Sequence, residues 1–160
     1  MIRLAAVLSL LAGGAQALSC MAPDVARDYL TADAAPEPYF VMLGTLQFDP
    51  ALLPVRDGQG RGAANATDIP ARLTGRSLTT DGFTRDVSRD VTLRVLCLGP
   101  WCAGAESGTR YLAFLRQDGD RLIAEANPCG GMLYVKPTVQ QLKAVRACAK
   151  GDCTPAAPHR

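Results

Sequence analysis

The run YFVMLGTLQF, residues 39–48, is apolar at nearly every position and has the length of one strand. A run of that kind predicts a central strand covered on both faces. Gly44 inside it predicts a bulge or a sharp bend. Later segments alternate instead. Residues 71–78, ARLTGRSL, read as a strand, and Asp81-Gly82 after them as a hairpin turn. In DVTLRVLCL, residues 90–98, Val91, Leu93, Val95 and Cys97 fall on one face, and Thr92, Arg94 and Leu96 on the other. TRYLAFLR, residues 109–116, sets Tyr111, Ala113 and Leu115 opposite Leu112 and Phe114. Asp118-Gly119 is a second turn signal, and RLIAEA, residues 121–126, is the last strand of the set.

Helical spacing occurs twice. PDVARDYL, residues 23–30, has Pro23 at a first helical position and an apolar stripe of Val25, Tyr29 and Leu30. TVQQLKAVRAC, residues 138–148, has Thr138 as a cap and Val139, Leu142 and Val145 on its buried side. Residues 54–68, PVRDGQGRGAANATD, carry no period and read as a loop. The GQGRG within it has neither the strand-to-helix setting nor the Lys-Ser/Thr of a phosphate loop. Five strands, two hairpin turns and a helix at each end predict a mainly β domain. Its expected form is a small closed or nearly closed five-stranded antiparallel barrel with a short N-terminal helix and a C-terminal helix, the alternative being an ordinary five-stranded α+β sheet.

The chain begins with a leader pattern. Arg3 gives a positive start, residues 4–11 form an apolar run too short to span a bilayer, and Ala15-Gln16-Ala17 is a cleavage site. This divides the chain into a signal peptide at 1–17, a single domain at 18–153 and a mobile tail at 154–160. A cut after Ala17 leaves Leu18 first; a cut after Ser19 leaves Cys20 first; lipid attachment at Cys20 is a third option. The formal net charge is +2, and cleavage removes Arg3 from it. So small a balance supplies no bulk attraction to nucleic acid or to an anionic membrane. Beyond the leader no apolar stretch is long enough to cross a bilayer. The expectation is an exported, periplasmic or extracellular monomer. Its partner would be a protein or small ligand of the cell envelope, and it would carry no cofactor.

The six cysteines, Cys20, Cys97, Cys102, Cys129, Cys148 and Cys153, all lie beyond the leader. An even count in an exported chain points to disulfides. Zinc would call for paired Cys-x-x-Cys ligands or histidines, and the one histidine is His159. No metal site is expected, and no His-based catalysis. The stretch LCLGPWCAG, residues 96–104, poses a choice. A thiol-redox site reads Trp-Cys-x-x-Cys, and here Ala105 stands where the second cysteine belongs. A staple fits better: Cys97 and Cys102 flank a loop turned by Gly99 and Pro100. Trp101 would then cap the barrel mouth or serve as an aromatic anchor. Cys148 and Cys153 repeat the spacing, which leaves Cys20 to meet Cys129; six cysteines admit other pairings, and those stay open. Asp86, Asp90, Glu106 and Glu125 are the carboxylates that could pair for acid–base work, though charges at strand ends are ordinarily solvated.

The order of an N-terminal cysteine, then YFVMLGTL, then GTRYLAFLRQDGDRLIAEANPC, resembles the netrin-type module, which includes the N-terminal domain of the tissue inhibitors of metalloproteinases. The resemblance spans Cys20 to Cys129 and implies an OB-type five-stranded barrel with those two cysteines bridged. It also implies an activity. A free N-terminal Cys20 would chelate the zinc of a protease through its amine and carbonyl, with Met21 entering the specificity pocket. The inhibitors begin Cys-x-Cys, where this chain reads Cys20-Met21-Ala22. The expected function is therefore a non-catalytic binding module. Protease inhibition through Cys20 is the alternative, and thiol exchange through Cys97 and Cys102 a second one.

Overall fold

The computed structural model describes residues 19–55 and 64–157. The leader, residues 56–63 of the expected loop and His159 lie outside them. The elements are α1 (Val25–Asp33), β1 (Tyr39–Phe48), β2 (Ala66–Thr79), β3 (Gly82–Leu98), β4 (Trp101–Cys102), β5 (Thr109–Asp118), β6 (Arg121–Ala126), β7 (Leu133–Val135) and α2 (Val139–Cys148). A 3-10 turn at Pro50–Leu52 follows β1. No helix among the described residues is long and apolar enough to cross a membrane.

Strand pairing decides the architecture. β1 pairs with β2 and β2 with β3, both antiparallel. β5 pairs antiparallel with β6 and with β1. β3 and β6 pair in parallel, residues 92–95 against 123–126. Each of these five strands thus has two partners within the set, and the circuit β1-β2-β3-β6-β5 returns to β1; β4 adds to β3 and β7 to β5. The expectation of a wholly antiparallel sheet is corrected here. Strand directions that alternate around an odd circuit cannot all alternate, so one neighbouring pair must run parallel.

The core forms two clusters. Met42, Leu46, Ile69, Leu73, Val91, Leu93, Val95, Tyr111, Ala113 and Leu115 pack together on the inner sides of the five strands. Leu43, Leu112 and Phe114 point the other way and meet Val25 of α1, Val145 of α2 and Tyr134 of β7. β1 and β5 are therefore covered on both faces, because the two helices lie over them. β2 and β3 contribute to the inner cluster and show polar residues outside, as their alternation predicts.

Several boundaries differ from the sequence reading. Asp24, not Pro23, opens α1: its Oδ1 accepts from Arg27 N at 2.7 Å. Leu30 and Val139 are exposed, each lying off the stripe that packs. Thr138 caps α2 as expected and forms a capping box with Gln141. The loop at 54–68 ends early, since β2 begins at Ala66. Gly44 makes no bulge; register runs through it on both sides, and the irregularity lies at Ser77/Leu78. The hairpin turns are Thr80-Asp81 and Gly119-Asp120, one residue removed from the expected pairs, because Gly82 opens β3 and Asp118 closes β5. β4 and β7 are additions too short to show a period. Three disulfides form, Cys20–Cys129, Cys97–Cys102 and Cys148–Cys153, and no cysteine is free.

Candidate functional site

β3 pairs with β2 along nearly its whole length, but with β6 only from Thr92 onward. Its first half, residues 85–90, therefore has no strand partner on the β6 side among the described residues. The β5–β6 hairpin reaches past this gap, and a cleft of about 420 Å³ opens between them. Such a volume suits a small ligand. Met42 forms part of the lining from within the core. Phe40 on β1, 48% exposed, Val87 on β3 and Leu122 on β6 give it apolar walls. Arg85 and Arg89, two residues either side of Val87 on the same face of β3, bring two guanidinium groups to it. Neither makes an ion pair among the described residues. Gln117 and Asp120 of the hairpin and Asp90 complete the polar rim. Asp90 is already engaged, its Oδ1 2.7 Å from Arg72 Nη2.

The carboxylates singled out from the sequence are not brought together. Asp86 lies 3.1 Å from Arg76, Asp90 beside Arg72, and Glu106 2.8 Å from Lys136. Lys136 holds the Glu106 carboxyl below its usual range. Glu125 stands opposite Arg94 in the β3–β6 register. The least exposed ion pair among the described residues was not foreseen: Arg94 donates to both oxygens of Asp68 at 2.7 Å, and this fork lowers the Asp68 pKa and raises that of Arg94.

Cys97 is 2% exposed and is the strand partner of Cys102. Leu98 and Trp101 face each other at the tip beyond the bridge, with Gly99 in the left-handed region. Trp101 is 39% exposed and its ring lies beside Gly99, so it projects at the tip and does not cap the core. The reason is local: a two-residue turn closed by a disulfide keeps the ring outside the circuit of strands. Cys20 and Met21 are exposed, Met21 at 65%, on the segment ahead of α1.

The cleft itself was missed in the sequence. Its one signal is the spacing of Arg85, Val87 and Arg89, which places the three on one strand face; residues 83–89 are otherwise too polar to mark a strand. Comparison with family models, curated proteins and solved structures finds no match to the chain.

Proposed function

We propose that this chain is an exported, non-catalytic binding module built on an OB-like barrel, and that its cleft takes an apolar molecule carrying an acidic group. The closed circuit of five strands supports the barrel. OB-type barrels bind on a sheet face and the adjoining loops, and the cleft lies between a face of β3 and the β5–β6 hairpin. The observation that carries the reading is the lining itself: Phe40, Val87 and Leu122 beside two guanidinium groups that form no ion pair among the described residues, although Asp90 and Asp120 share the rim. Three disulfides fit an oxidising, exported setting. The individual pairing of Asp86, Asp90 and Glu106 with basic side chains favours binding over acid–base chemistry. The burial of Cys97 favours a staple over thiol exchange.

A fluorescent probe with a naphthalene ring and a sulfonate, anilinonaphthalene sulfonate, matches this lining. Titration of the folded, oxidised chain is expected to give one saturable site. The Arg85→Gln/Arg89→Gln pair should weaken it roughly tenfold, the scale of a lost charge-assisted hydrogen bond. Val87→Asp should abolish it with the circular dichroism spectrum unchanged. Probe binding indifferent to both variants would refute the cleft.

A second reading follows the netrin-type resemblance, and one observation favours it. Cys20, bridged to Cys129, is held at the molecular surface with Met21 exposed beside it. Inhibition of a zinc protease would need a free amine on Cys20. We expect that neither protein beginning at Leu18 nor protein beginning at Cys20 slows a panel of metalloproteases. Micromolar inhibition by the Cys20 form, lost on restoring Leu18-Ser19, would put the inhibitor first.

A further inference from the structure

A second groove, sharing no residue with the cleft, lies where β1 and β2 cross. Its floor is two glycines facing each other in register, Gly44 and Gly75. A Cβ on Gly44 would stand 2.5 Å from the Thr74 carbonyl oxygen, and one on Gly75 would stand 2.4 Å from the Gly44 Cα. The strands approach so closely that only glycine fits, and the floor is bare of side chains. The space above it is about 470 Å³.

Three arginines from three elements border this floor: Arg76 of β2, Arg110 of β5 and Arg146 of α2. No carboxylate is among the described lining residues. Arg76 is offset by Asp86, which lies behind it on β3 at 3.1 Å. Arg110 and Arg146 have no acidic partner among the described residues. The Arg146 guanidinium lies 5.6 Å over the Phe83 ring, an arrangement that holds the fork in place before any ligand arrives. Thr45 adds a hydroxyl at the rim. Two uncompensated positive charges in one groove match the charge of a phosphate monoester near neutral pH, about −1.5 to −2. Guanidinium forks also match its oxygens in geometry. We propose that this groove binds a phosphate group, free or carried on a lipid headgroup. The inference is independent of the apolar-acid reading of the cleft.

Calorimetric titration of the oxidised chain with inorganic phosphate, at ionic strength matched with sodium chloride, tests the free source. Sedimentation with phosphatidylcholine vesicles, with and without phosphatidic acid, tests the lipid source. Arg110→Gln is expected to weaken binding about tenfold and Arg146→Gln at least as much. Asp86→Asn, which frees Arg76, should strengthen it several-fold. Arg72→Gln, outside the groove, should leave it unchanged. Phosphate binding with this pattern assigns the free anion; retention on phosphatidic acid vesicles alone, with the same pattern, assigns the headgroup. Absence of both, a response equal to that of chloride, or equal weakening by Arg72→Gln overturns the proposal. Arg110→Gln and Asp86→Asn disturb no core contact, so the test stands even if Arg146→Gln unfolds.

Discussion

Asp28 shows how one side chain can anchor a strained turn. Its Oδ2 accepts from the Met132 amide at 3.0 Å and from the Tyr134 hydroxyl. Gly130, Gly131 and Met132 all have positive φ, and Met132, at 54°, has no glycine's freedom there. The bonds to Asp28 hold this turn against α1. Asp28→Ala would leave a buried hydroxyl and an amide without their acceptor, and should cost on the order of 2–3 kcal/mol in urea unfolding. Tyr134→Phe removes one donor and leaves none stranded, so it should cost about 1 kcal/mol; an equal or larger loss would show that the hydroxyl, not the amide, carries the anchor. The tyrosines add a pH dependence. Burial raises the pKa of Tyr29, Tyr39, Tyr111 and Tyr134, and for Tyr134 the bond to Asp28 raises it further, well beyond the usual phenol range. A group whose folded pKa is raised contributes stability below its unfolded value and loses it as pH climbs toward the folded one. Stability should therefore fall above about pH 10, the ordinary tyrosine value. Tyr134→Phe should flatten that fall when unfolding is followed across alkaline pH.

At the scale of elements, legibility followed burial. β1 and β5 were plain in the sequence because the middle of each is covered on both faces, so Val41–Leu46 is apolar at nearly every position and Tyr111–Leu115 at all of them. The second half of β3 was plain because Val91, Leu93, Val95 and Cys97 alternate into the core. Its first half was not. There the outer face is a ladder of polar partners, Arg72 opposite Asp90, Thr74 opposite Ser88 and Arg76 opposite Asp86. Cross-strand pairing with β2 makes that segment a strand, and pairing with a distant segment leaves no local period. The candidate cleft depends on this segment, so it was hidden with it. Gly44 was misread for a related reason. One glycine in an apolar run signals a bulge, whereas its role here needs Gly75, far along the chain, to pass beside it. The parallel β3–β6 pair was equally invisible from local pattern, being a consequence of closing five strands into one circuit.

At the scale of the whole molecule, the disulfides divide into two kinds. Cys97–Cys102 and Cys148–Cys153 each span five positions of sequence, while Cys20–Cys129 spans 109. The short bridges act locally: one fixes the Leu98–Trp101 tip, the other closes the turn after α2. The long bridge ties the segment ahead of α1 to the turn after β6, and so joins the helical layer to the sheet. Alongside it the Ala156 amide donates to Asp24 Oδ2 at 3.1 Å, drawing the C-terminal segment to the start of the same helix. In the chain-entropy model each short bridge contributes about 2 kcal/mol and the long one about 5 kcal/mol. Burial works against that ordering. Cys97 and Cys148 are buried and Cys20 is exposed, so replacing the short pairs by alanine also removes core contacts. The entropy difference of roughly 3 kcal/mol exceeds the packing loss of one buried sulfur. Cys20→Ala/Cys129→Ala should therefore give the lowest urea midpoint of the three double variants. If the Cys148→Ala/Cys153→Ala pair proved the least stable, the turn after α2 would be holding the two layers together, and the N-terminal bridge would serve only to fix Cys20 at the surface.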